Sequence, residues 1–168
     1  MTLNISLDES SIDDAIKKLN EYKKWLDEKS RELCERLAMF GAFKVSAGFF
    51  SAIYDGDKDY EVTVEETKYG YAIIASGETV LILEFGAGIT YGYGHPLAEE
   101  MGMGPGTHPD PHYRMVHGEL VPNWRNPRGW YTPDRIHTYG NSPAMPMYNT
   151  AQDIRREVEQ IAKEVFQR

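Results

Sequence analysis

Four side chains that could ligate a metal crowd into ten residues: His108, Asp110, His112 and His117. Imidazole and carboxylate together can hold a divalent metal and activate water for hydrolysis. The frame argues against that use. No H-E-x-x-H helix is present, and Pro109 and Pro111 separate the candidate ligands and disfavour a helix that could align them. The glycines Gly86, Gly88, Gly92 and Gly94 could cradle a phosphate after a strand, but Pro96 follows at once. Without a helix N-terminus such a loop lacks the dipole and free amides that an anion needs, so these glycines read as tight turns. Neither G-x-x-x-x-G-K-[ST] nor G-x-S-x-G occurs. Cys34, the only cysteine, sits at an apolar-flanked helical position and reads as packing. Glu99 and Glu100 have no visible partner for acid–base work and read as a solvated face.

One basic-aromatic constellation remains, Trp124-Arg125-x-x-Arg128-x-Trp130-Tyr131. Aromatic and guanidinium planes can stack nucleic-acid bases. In a chain of net charge −8, phosphate binding is disfavoured. Arginine without lysine beside tryptophan and tyrosine is also the composition of a protein–protein interface core. The sequence therefore predicts no catalytic residue, cofactor or metal, and a protein that acts by contacts. Two alternatives stand beside it: a metal-dependent hydrolase using the loop histidines, and a nucleic-acid-binding module using the Trp-Arg patch.

These residues share one segment. All nine prolines, all five histidines and ten of the fifteen glycines lie within residues 86–148. A structureless stretch of that length is unusual inside a compact domain. Its two tryptophans and six tyrosines are a poor composition for disorder. The expectation is a long, ordered, irregular loop rich in proline, glycine and histidine.

The flanking elements must position it. Ile12, Ile16, Leu19, Leu26, Leu33, Leu37 and Phe40 follow a 4-3 alternation, which predicts a helix over 11–39 with Gly41 as its stop. That helix is long enough to cover its own domain or to reach a neighbouring subunit. Phe43, Val45, Ala47, Phe49, Ser51 and Ile53 alternate with more polar neighbours and predict a first strand. Val62 and Val64, flanked by Glu61, Thr63 and Glu65, predict a second with one wet face. The runs 71–75 and 79–85 are apolar on both faces and predict two buried strands. Ala151, Ile154, Val158, Ile161 and Val165 predict a final helix over 150–166, capped by Asn149 or Thr150. The reading is a single α+β domain over 1–168. It has a long N-terminal helix, a four-stranded antiparallel meander over 43–85, the 86–148 loop, and a C-terminal helix packed on the sheet. The opening MTLNISLDESS lacks the basic and apolar regions of a signal peptide, and no apolar run is long enough to span a membrane.

The order of these elements resembles the tail-component or tail-completion proteins of the head–tail neck in long-tailed phages and prophages. Four places carry the resemblance. One is the run Val80 to Gly88, ending in Glu84-Phe85-Gly86-Ala87-Gly88, where the family has Glu-Phe-Gly-Thr-Gly at a strand end. The second is Gly129-Trp130-Tyr131. The third is His137-Thr-Tyr-Gly140 followed by Pro143-Ala-Met-Pro-Met147-Tyr148, a proline-containing approach to the last helix. The fourth is that helix. The loop departs from the family in being longer and richer in proline and histidine, and the first strand lacks the common Asp-Thr-Gly approach.

The resemblance implies a non-enzymatic virion protein that joins or completes the tail. It would form a ring with copies of itself beside neighbouring neck or tail proteins, assembled in the host cytoplasm, with no membrane partner. Such a ring would surround DNA without reading its sequence, and an acidic surface would let DNA slide past. Glu84, Phe85, Gly86 and Gly88 would shape the strand exit. Trp124, Arg125, Arg128, Trp130 and Tyr131, with Met147 and Tyr148, would make the contacts.

Overall fold

The computed structural model describes residues 9–54, 56–87, 94–101, 113–116, 119–122, 130–131, 137–138 and 140–167. Its dominant element is helix α1, Glu9–Ser51, of 43 residues. At 1.5 Å per residue it is about 65 Å long. Strands β1 (Glu61–Thr67) and β2 (Gly70–Ser76) form an antiparallel hairpin in the register Val62↔Ala75 and Val64↔Ile73. A short helix, α2, spans Val80–Phe85. Two more antiparallel pairs lie in the long segment: β3 (Tyr113–Val116) with β4 (Glu119–Pro122), and β5 (Trp130–Tyr131) with β6 (His137–Thr138). The chain closes with α3, Pro146–Phe166. Among the described residues no helix is long and apolar enough to cross a membrane.

The architecture is α+β, but two of the four expected strands of the meander are helical. Residues 43–51 continue α1. The segment fits both periods: alternation picks out Phe43, Val45 and Phe49, while Ala38, Gly41, Val45, Phe49 and Ala52 recur at helical spacing and are the buried set. Extending an existing helix needs no new nucleus, so the helical reading wins. Gly41 does not stop α1. It is buried where three elements cross, and a Cβ there would come within 2.4 Å of Ile73 on β2 and 2.8 Å of Ile154 on α3. Farther along, a Cβ on Gly48 would meet Pro146 at 2.9 Å. The two glycines let α3 lie close along α1.

The run 79–85 is likewise a helix. A short apolar stretch cannot be assigned from periodicity alone. Here Asp59 fixes the preceding turn. Its carboxylate accepts from the Glu78 amide (2.9 Å), and its carbonyl accepts from the Thr79 hydroxyl (2.7 Å). Gly77, at φ 133°, permits that approach.

The core gathers Val45, Phe49 and Ala52 of α1 and its exit with Val80 and Leu83 of α2. Val62, Ile73 and Ala75 of the hairpin pack against it. Tyr60 stacks on Phe49 with centroids 5.1 Å apart. Both hairpin strands contact α1, and α3 packs chiefly along α1 rather than on the sheet as expected. The reason is that α1 already occupies the apolar face of the hairpin. At the far end of α3, Phe166 meets Trp25 edge-on at 5.9 Å. The turns of α1 before Tyr22 therefore run beyond α3. Lys44 bridges to Asp153 across the helix pair (3.4 Å), and Arg31 pairs with Glu66 of β1.

Candidate functional site

Glu84 is the one charged residue in the apolar run Val80–Phe85, and it is 5% exposed. A buried carboxylate is stable only if its oxygens are bonded. Both are. Oε2 accepts from the Met147 amide at 2.8 Å, and Oε1 accepts from the Tyr148 amide at 2.9 Å. These amides belong to the first turn of α3, where no carbonyl of the helix can reach them. Glu84 therefore caps α3 from another element and sets a negative charge at the positive end of its dipole. The expected caps, Asn149 and Thr150, lie inside the helix instead. Met145, in the left-handed conformation at φ 56°, precedes it, and Pro146 opens it. Proline at that position gives up no hydrogen bond.

His95 completes the arrangement. It is 6% exposed, and its Nε2 lies 3.1 Å from Glu84 Oε1. The Leu97 amide donates to Nδ1 at 3.1 Å. Nδ1 is thus the acceptor, and in the neutral ring Nε2–H donates to the carboxylate. Phe85 and Tyr148 flank the imidazole, with centroids at 4.3 and 5.4 Å.

The contact runs in both directions. The last carbonyls of α2 would be unpaired at its C-terminus. The Asn141 side-chain amide donates to the Ile82 carbonyl (3.0 Å), and the Ala144 amide donates to the Leu83 carbonyl (2.8 Å). Ala87 and Asn141 exchange backbone bonds at 3.0 Å. Gly86 is forced at this crossing. Its φ is 75°, and a Cβ would come within 2.8 Å of Pro143 and 2.9 Å of the Asn141 carbonyl. In Glu84-Phe85-Gly86 the first residue caps α3, the second walls the imidazole, and the third lets the two chain segments approach. The two ends of the 86–148 segment are clasped together.

The expected strand exit is therefore a helix exit. Glu84 and Phe85 are buried within the chain, while Met147 and Tyr148 are half-buried in the first turn of α3. Gly88, Trp124, Arg125 and Arg128 lie outside the described residues, and Trp130 and Tyr131 form β5. The candidate metal ligands His108, Asp110, His112 and His117 also lie outside them. Among the described residues no group of three or more potential ligands comes together. Sequence reasoning missed His95 and Asn141. A carboxylate embedded in an apolar run was the available signal that a buried partner must exist, but nothing local identified which residue it was.

Compared with family models, with curated proteins and with solved structures, the chain finds no match.

Proposed function

We propose that this chain is a structural virion protein of a long-tailed phage or prophage, acting at the head–tail neck or tail end by joining or completing the tail. The observation that carries the reading is the clasp. Two of the places on which the resemblance rests, Glu84-Phe85-Gly86 and Pro143 to Tyr148, are far apart in the chain and interlock through buried hydrogen bonds. Residues that work as one unit explain why such motifs would occur together in one order.

The clasp has a mechanical use. It ties both ends of the 86–148 segment to the core, so that load applied to the segment passes into α1 and α3. Trp124, Arg125, Arg128, Trp130 and Tyr131 would then dock on copies of the chain or on adjacent neck proteins. The protein works without catalysis or cofactor, and its net charge of −8 would keep passing DNA from adhering.

The test is assembly in the phage or prophage that encodes the chain. Without it, electron microscopy should find DNA-filled heads and separate tails. Normally joined, infectious particles would overturn the proposal.

A further inference from the structure

The His95 imidazole makes two bonds of opposite kind. Its side chain is 1% exposed. Nε2–H donates to the Glu84 carboxylate at 3.1 Å, and Nδ1 accepts from the Leu97 amide at 3.1 Å. Pro96, between the two residues, has no amide to offer. A side chain that accepts from the amide two residues on is the geometry of an Asx turn, built here from imidazole. The bond anchors a short turn at the entry of the 86–148 segment. Within that turn the Ala98 amide donates to the His95 carbonyl and the Met101 amide to the Leu97 carbonyl, each at 3.1 Å. Leu97 is 43% exposed, so the turn meets water while the ring does not.

We propose that His95 is an acid-operated latch on this entry. A second proton on the ring can go only to Nδ1, because Nε2 already carries one. Nδ1–H and the Leu97 N–H would then face each other across 3.1 Å, two donors with no acceptor between them. Their bond is lost, and the 95–101 turn moves off the ring so that water can accept from both. The other side of the ring behaves differently. Nε2–H keeps its bond to Glu84, now as an ion pair, and Glu84 keeps its bonds from the Met147 and Tyr148 amides. Acid therefore frees the entry of the segment and leaves α3 capped.

The groups around the ring suit this division. Glu84 comes from α2, and Tyr148 of α3 lies edge-on with its centroid 5.4 Å from that of the imidazole. Phe85 walls another face without charge, at 4.3 Å. Glu99 and Glu100, on the turn itself, are exposed. A protonated ring thus meets the Glu84 carboxylate. Imidazole is also the side chain that ordinarily gains its proton in mildly acidic water. The latch needs only the clasp. It would operate in a protein of any role, and the neck reading could fail without affecting it.

NMR of the full, isotope-labelled chain across a pH titration tests it. At neutral pH, long-range proton–nitrogen spectra should show His95 as the Nε2–H tautomer. As the ring titrates, the protection of the Leu97 amide against hydrogen exchange should fall by roughly 3–10-fold, with the same midpoint as the ring. The Met147 and Tyr148 amides should keep their protection through that step. His95→Asn places near the Nδ1 position an oxygen that takes no proton. It should identify the His95 signals by their loss and hold Leu97 protection level over the same range; if that variant does not fold, the wild-type titration decides alone. The Nδ1–H tautomer overturns the proposal. So does a Leu97 amide indifferent to the ring's titration, or a ring that gains no proton before the chain unfolds. Loss of protection at Met147 and Tyr148 in step with Leu97 overturns it too, by placing the acid event on Glu84, as does a folded His95→Asn chain that still loses Leu97 protection over that range.

Discussion

Replacing Glu84 tests the clasp directly. Its carboxylate accepts three bonds in the interior, from the amides of Met147 and Tyr148 and from the His95 imidazole, at 2.8, 2.9 and 3.1 Å. In Glu84→Ala all three donors lose their acceptor. A buried donor left unpaired costs about 1–3 kcal/mol, although water entering the new cavity recovers part of that. Three such donors, less the part that water recovers, set the expected loss at about 3–5 kcal/mol. Glu84→Gln keeps one acceptor oxygen but turns an N–H group toward donors, for a loss of about 2–3 kcal/mol. For a chain of this size the alanine variant should melt about 6–20 °C lower. Urea unfolding should show a lower midpoint at unchanged slope, and hydrogen exchange should accelerate first at Met147 and Tyr148. Glu99→Ala, at an exposed carboxylate, serves as the control and should shift stability by less than about 0.5 kcal/mol. If Glu84→Ala behaves like that control, the carboxylate does not hold α3 and the clasp is wrong.

Two further outcomes follow from particular residues. Gly77→Ala should cost about 2–4 kcal/mol, because its Cβ would come within 2.3 Å of the Asp59 carbonyl at a φ of 133°. Gly41→Ala should cost less, since only the ends of the Ile73 and Ile154 side chains must give way and alanine favours the helix by about 1 kcal/mol; thermal melts in the reverse order would contradict this ranking. The Glu32 carboxyl is held below its ordinary value chiefly by its hydrogen bond from Lys29, with Arg36 adding to it, while desolvation opposes them. A depressed carboxyl contributes stability that is fully present above its unfolded value and is lost as pH falls through the folded one. Its NMR titration midpoint should therefore lie below that of an ordinary glutamate and rise toward it in Lys29→Met; an unchanged midpoint in the variant contradicts the assignment.

What the sequence determined by itself is what neighbours along the chain can decide. The 4-3 alternation of α1, the strand at Val62 and Val64, and the apolar face of α3 were all legible. Each is set by local period. The prominence of the 86–148 segment was legible too, from its prolines and histidines. The tertiary structure decided the rest. The segments 43–51 and 80–85 satisfy both helical and strand patterns, and the packing of Val45, Phe49 and Leu83 into one core joins the continuing helix and the Asp59 turn in selecting the helix. Gly41 reads as a stop until Ile73 and Ile154 are seen to converge on it. The cap of α3 could not be found beside α3, because it comes from Glu84 on α2, and His95 becomes significant only beside that carboxylate. Contacts of this kind join residues that no local spacing relates. They form because buried polar groups must find partners wherever the fold brings them within reach.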